Sequence, residues 1–372
     1  NEEIGSEGGD SREQVRRYVR LTYLSKDLLH MVDDGRIAFR PAVELSYIDD
    51  SLSQNILYYC YDDARTVEDI SKLCGVPAYY IEERIDNLLK REAIIESVKG
   101  KYQTNFVIFS DKYGIYCEEN AEKVLLPIVD EIIEALKKIS KEAMSISFYK
   151  ADRSEQDLFY LFGAMAFSYA SKKYCKLPYP WFKKRYDGNE WSYLGNMETG
   201  KHKRITMGIQ QCANLGSRGG YSHTSYNLIP GIKFRQMMYD NYINACEDIL
   251  YTGSCDDVDS VANAVNDGYI VRKEDGSFFV TSPSFTLEQN HQFENIVEKY
   301  LSPIMPAYSN AIESFVAGYK KLFPKHLNDD ADRLCQNIFM GMYSEIIKHA
   351  QKTEKITAPS SNCYCDVMVQ FK

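Results

Sequence analysis

Arg12, Arg16, Arg17 and Arg20 fall within nine residues of one another in the run D-S-R-E-Q-V-R-R-Y-V-R-L-T-Y-L, residues 10 to 24. Guanidinium groups are permanently charged and neutralise phosphates, releasing the counterions a duplex condenses. Their spacing suits a helix. Val15, Tyr18, Val19 and Leu21 or Thr22 recur on one stripe, and the arginines lie mostly off it. Ser11 stands at the N-cap and Gln14 three residues later, which is capping-box spacing. The pattern predicts a short basic helix entered from the Gly8-Gly9 turn, against which stands an ordinary solvated surface helix. On the first reading Arg12 and Gln14 reach base edges, Arg16, Arg17 and Arg20 hold phosphates, and Ser11 fixes the helix start.

These residues belong to a longer pattern. S-R-x-x-V-x-R-Y-x-R-L is followed by L-L-x-M-V-D-x-G-x-I-A-F-x-P-A-V-E-L-S-Y, and residues 3 to 48 resemble the helix-turn-helix region of ParB-type partition proteins. The resemblance implies a recognition helix at Ser11 to Leu24, supporting helices near Lys26 to Asp33 and Pro41 to Ile48, and duplex DNA as partner. It begins in mid-motif, without the family's nucleotide-binding domain. DNA contact is therefore carried over, while nucleotide hydrolysis and clamp closure are not. A fragment or a fusion is the expectation for residues 1 to 48.

Residues 49 to 112 form a second expected unit. Ser51 to Tyr61 reads as an apolar helix, and Thr66 to Cys74 as another, with Thr66 its N-cap. A third helix opens at Pro77, and strands are expected over Ala93 to Val98 and Lys101 to Phe109, joined at Lys99-Gly100. Three helices and a hairpin in that order resemble a winged-helix domain of bacterial transcription regulators. Tyr79, Tyr80, Arg84, Lys99 and Lys101 are its candidate DNA contacts. The third helix also carries Glu82, Glu83, Asp86 and Glu92, so protein binding stays open as the alternative.

The hairpin has an echo. G-Y-I-V-R-K-E-D-G-S-F-F-V-T-S-P-S-F, residues 268 to 285, resembles residues 93 to 109 with a turn differing by one residue, and amphipathic helices follow both. A winged-helix-like repeat over 251 to 372 is expected, with chance as the alternative because such hairpins are common. The second copy is preceded by Asp256, Asp257, Asp259 and Asp267, so it is not expected to read DNA. Residues 113 to 150 read as one connecting helix, able to link the reader to the rest or to pair across a homodimer. Residues 151 to 250 read as an α+β sensor domain.

Within that domain, lysines and arginines interleave with aromatics over residues 171 to 186, and glycine-rich hairpins follow. Trp181, Trp191, Arg218, His223 and Tyr226 are candidate contacts for a small anionic effector. The fold class is thus helix-rich α+β. The net charge of −9 excludes diffuse nucleic-acid binding by the whole surface and confines it to local basic patches. No run approaches the roughly 18 apolar residues of a membrane span. The ten cysteines lack a C-x-x-C pair, so reduced thiols in a cytoplasm are expected, with Cys363 and Cys365 the one close spacing for a metal. No nucleophile elbow, H-E-x-x-H or paired-carboxylate motif is present, and Ser222-His223 adjacency makes no triad. A non-enzymatic regulator without cofactor is the expectation, and a ligand-sensing or protein-interaction module is the alternative.

Overall fold

The computed structural model describes residues 50–174, 184, 188, 193–197, 201–205, 208–214 and 220–371. The arginine-bearing segment of residues 1 to 48 lies outside them. The chain is α+β and helix-rich, and it divides into two compact units. Among the described residues, no helix is long and apolar enough to cross a membrane.

The first unit comprises residues 50–110, 193–197 and 323–331. Its helices are α1 (Ser51–Tyr59), α2 (Val67–Cys74) and α3 (Ala78–Lys90). Asp50 caps α1 by accepting from Ser53 N. Thr66 and Asp69 form a full capping box at α2, satisfying two backbone donors that the helix start would orphan. Pro77 is the N-cap of α3 rather than its first helical residue. Ile56, Leu57, Ile70, Ile81, Ile85 and Leu88 close the core between the three helices. Strands β1 (Ile94–Val98) and β2 (Lys101–Thr104) form an antiparallel hairpin with an irregularity between Glu96 and Val98. An Arg65–Tyr102 bridge adds a third backbone segment to it. The second expected strand is shorter than Lys101 to Phe109. It breaks at Asn105, and Val107–Phe109 leaves as β3 to pair in parallel with β4 (Leu194–Asn196).

The second unit comprises described residues 111–174, 201–322 and 332–371. Its helices include α4 (Asp111–Leu125), α5 (Val129–Ala143) and α6 (Glu155–Tyr174). The single helix expected over 113 to 150 is therefore two. Pro127 lacks an N–H and disfavours helical geometry at Leu126, so the chain turns there. Strands β5 (Gly208–Asn214) and β6 (Tyr221–Asn227) lead to α7 (Asp240–Thr252) and α8 (Val258–Asn266). A hairpin of β7 (Ile270–Arg272) and β8 (Phe278–Val280) is followed by β9 (Ser284–Phe285), α9 (Leu287–Leu301) and α10 (Met305–Tyr319). Helix α11 (Asn328–Lys352) and strand β10 (Asp366–Gln370) complete it. The sheet order is β5-β6-β10-β9, with β10 antiparallel to β6 and parallel to β9.

The echo extends far beyond the hairpin. Helix α4 falls on α9, α5 on α10, and the hairpin ends Ile94 and Thr104 fall on Ile270 and Val280. The displacement is 176 residues throughout (287 − 111, 305 − 129, 270 − 94). In this register the two turns have equal length, so the one-residue difference expected from sequence disappears. The tip glycines Gly100 (φ 73°) and Gly276 (φ 83°) coincide, as a tight turn needing positive φ requires.

Helix α6 is apolar nearly all round and packs inside its unit. Gly163 lies against the Tyr343 ring of α11, where a Cβ would collide with the phenol, and Tyr343 donates to Tyr160 O at 3.0 Å. We expect Gly163→Ala to cost about 1–3 kcal/mol by overpacking and to lower the thermal midpoint by several degrees. An unchanged calorimetric midpoint would contradict this packing.

Candidate functional sites

Two sites stand out, one on each unit. In the first, Pro77 turns the chain so that the opening turn of α3 presents Tyr79 and Tyr80, which are 60% and 45% exposed. Their rings lie 3.8 Å apart. Apolar Ile81 and Ile85 anchor the opposite face of the helix. Lys99 and Lys101 are exposed on either side of Gly100, whose N–H donates to Glu96 Oε1 at 2.6 Å. Val98 beside them is also exposed. Arg84 is engaged differently, its Nε 3.6 Å from Asp50 Oδ1 across the helix bundle. It braces α3 against the start of α1 and is less available to an external anion than its sequence position suggests.

The second site centres on Asp366, the first residue of β10, which is fully buried. Arg235 Nη1 lies 3.3 and 3.4 Å from its two oxygens, and Arg153 Nη2 3.3 Å from Oδ1. His223 Nε2 lies 3.1 Å from Oδ2, and the Ser282 hydroxyl donates to the same oxygen. His223 Nδ1 accepts from Met238 N at 3.0 Å, so the ring proton sits on Nε2 and the imidazole donates to the carboxylate. Burial opposes ionisation of Asp366, but Arg235, His223 and Arg153 outweigh it and hold the carboxyl well below the usual range.

Arg235 is also fixed by Gly268 O and Thr281 Oγ1, and its guanidinium covers the rings of Tyr269 and Tyr364 at 4.1 and 4.9 Å. Arg153 donates through Nη2 to Thr281 O at 3.0 Å. It follows Ala151 and Asp152, both in the left-handed region (φ 53° and 52°), a strained turn that sets its direction. Arg153, Arg235, Asp152, Asp157, Asn362 and Tyr364 are among the residues lining an open pocket of about 290 Å³. Asp157 is held by Ser360 through its N–H and hydroxyl; burial works against its charged form, and these bonds win.

The arrangement is an open cleft with charged walls. Ser282 and His223 both donate to Asp366, and Ser222, on the opposite face of the strand from His223, donates to Val369 O. Of the residues read as effector contacts, His223 and Tyr226 are buried in β6 and do not line the pocket. A β6 covered on both faces, not a hairpin loop, explains their position. Trp181, Trp191 and Arg218 lie outside the described residues, as do Ser11, Arg12, Gln14, Arg16, Arg17 and Arg20. Sequence reading missed Arg153, Arg235 and Asp366. The one hint was a lone aspartate heading the apolar run V-M-V near the C-terminus. Among the described residues, no cluster of histidine, cysteine and carboxylate side chains is placed to hold a metal. Cys363 and Cys365 are buried, and burial pushes the Cys363 thiol up to about 12.

Because the folded-state value of Asp366 lies below that of an unfolded aspartate, near ~3.9, its stabilisation is complete above that value. It is lost as the pH falls towards the folded value. Asp366→Asn leaves two guanidiniums facing a neutral amide, and we expect it to cost about 3–5 kcal/mol at neutral pH. The acid limb of the stability profile should also become shallower. Identical acid limbs for the two proteins in denaturant titrations would contradict the assignment. No protein-family model, curated protein or solved structure matches this chain.

Proposed function

We propose that this protein is a duplex-DNA-binding regulator, of partition or transcriptional type, working in a cytoplasm. The observation that carries the reading is the module of residues 51 to 104. Three short helices lead into a hairpin whose tip bears two exposed lysines, and an exposed tyrosine pair opens the third helix. That order and that display suit a winged helix, with a helix entering a groove and a lysine-bearing wing against the backbone. The basic segment of residues 10 to 24 supports it, since Arg16, Arg17 and Arg20 add local positive charge to a protein of net charge −9.

Each phosphate contact contributes roughly 0.9 to the slope of log affinity against log salt. We expect Arg16→Ala with Arg17→Ala, and separately Lys99→Ala with Lys101→Ala, to weaken binding to all duplexes and to flatten that slope. Gel retardation across a salt series reads both. A slope unchanged in both double variants would count against this reading.

A second reading concerns the pocket over Arg153 and Arg235. Among the described residues Arg153 spends only Nη2 on hydrogen bonds, to Thr281 O and Asp366, which leaves guanidinium donors for a small anionic effector. A ligand that binds only the native state raises its melting temperature. In a thermal-shift screen of carboxylates and phosphates on the full chain, at least one compound should stabilise the parent protein, and Arg153→Lys should abolish the shift. No stabilisation by any compound at millimolar concentration would dispose of the effector.

A further inference from the structure

We infer that this single polypeptide is built as its own dimer, with one half equipped to read a duplex and the other not, and that it binds DNA one chain at a time on a site without two-fold symmetry. The site inference rests on the DNA-binding reading above; the internal dimer does not.

A two-fold homodimer has an isologous interface: where residue i of one copy meets j of the other, j meets i in return. The two repeats of this chain meet in that manner. Helix α4 of the first packs on α10 of the second, and α5 of the first on α9 of the second. Tyr113 Oη in α4 donates to Leu322 O, beyond α10, at 3.2 Å. Its equivalent in α9, Gln289, donates through Nε2 to Ser147 O, beyond α5. Phe285 in β9 stacks on Phe148 with ring centres 4.3 Å apart, and Phe109 in β3 meets Phe323 at 6.2 Å. Tyr149 Oη donates to Val280 O at the end of one hairpin at 2.7 Å, and His326 Nε2 to Thr104 O at the end of the other at 2.8 Å. Each repeat sends the segment after its second long helix to the base of the other's hairpin. Tyr116 also meets Phe315 and Tyr319, so aromatic rings fill the α4–α10 seam. The self-complementary face through which a lone repeat would pair with a copy of itself is thus covered within one chain.

The two halves match from the hairpin through the second long helix, whereas α1 has no helical counterpart in the second repeat and α8 starts four residues later than α3 would place it. Their surfaces differ too. At the fixed displacement, Tyr79 and Tyr80 correspond to Cys255 and Asp256, Glu83 to Asp259, Lys99 to Asp275 and Lys101 to Ser277. Asp256, Asp259 and Asp275 are exposed. At these five positions a ring, a cation or a glutamate of the first repeat is met by a carboxylate or a small neutral group, and a carboxylate repels the phosphates that a lysine attracts. The second hairpin places its exposed cations, Arg272 and Lys273, before the turn, where the first has Glu96 and Ser97. A palindromic operator needs two equivalent readers. Among the described residues this chain displays one such helix-and-lysine-tipped hairpin.

Sedimentation equilibrium of the full chain should give a single species near 42.9 kDa. A concentration-independent dimer would overturn the inference whatever the DNA result. Selection from a pool of randomised duplexes, followed by measurement of the mass of the complex, should yield a site without a dyad carrying one chain. Lys99→Ala with Lys101→Ala should lower affinity for that site by roughly three- to tenfold. Asp256→Asn with Asp275→Asn should change it by less than about twofold, because on this inference the second module makes no phosphate contact. A palindromic site, two chains per duplex, or a marked gain from neutralising the aspartates would overturn the inference while leaving DNA binding intact. Failure to select any duplex would overturn DNA binding itself, and the site inference with it.

Discussion

One ionised carboxylate holds the second unit together. Asp366 gathers a guanidinium from the turn before α6, a second from the segment before α7, an imidazole from β6 and a hydroxyl from the approach to β9. These groups are far apart in sequence, and none of them is near its partner until the sheet has formed. A buried charge is tolerated only when paired and hydrogen-bonded. The constraint therefore acts in both directions. The sheet order β5-β6-β10-β9 places the carboxylate, and the carboxylate excludes registers in which β10 would bring an unpaired charge into the core. Arg235 carries the same requirement outward. Its guanidinium is clamped between Asp366, Gly268 O and Thr281, and it lies between the rings of Tyr269 and Tyr364. That wall of the cleft is consequently fixed by the protein's own contacts.

The parts legible in the sequence were those whose physics is local. Thr66 announced a helix start because an N-cap acts within its own first turn, and the structure adds Asp69 to it as a capping box. Gly100 announced a hairpin because a two-residue turn needs positive φ. The break at Pro127 was legible too, yet a strong apolar period on both sides invited one long helix, and the missing N–H decided otherwise. The Asp366 cluster was not legible, because nothing local distinguishes an aspartate destined for burial from one at a strand end. Asp366 and Arg235 are separated by 131 residues, and only the topology brings them together. His223 drew attention beside serines and glycines in a loop-like context, but its neighbours are strand, and strand alternation turns it inward.

The repeat was legible only in part, for a related reason. Aligning the hairpins by residue type pairs aromatic with aromatic and introduces a one-residue offset. Aligning them by backbone pairs the tip glycines and the hairpin ends and removes it. Side chains in the two copies answer to different neighbours, whereas backbone geometry answers to the same turn. Tyr113 and Gln289 illustrate the point. They share a place and a role, donation to a carbonyl beyond the partner's helix, while their chemistry has diverged.

That divergence bears on how a protein of net charge −9 could approach a polyanion. Screening confines electrostatic attraction to about a Debye length, roughly 8 Å at physiological salt. What matters is therefore the charge within that distance of the phosphates. A homodimer of the first repeat would carry two lysine-tipped hairpins and two tyrosine pairs, and would commit the protein to symmetric sites. In the second repeat the hairpin tip carries Asp275 and the approach to α8 carries Asp256, while the isologous seam is shared by both repeats. A seam of buried aromatics and backbone hydrogen bonds is constrained by packing on both sides, so it retains its form. An exposed hairpin tip is under no such packing constraint, so its residue types can differ between the repeats without disturbing the fold.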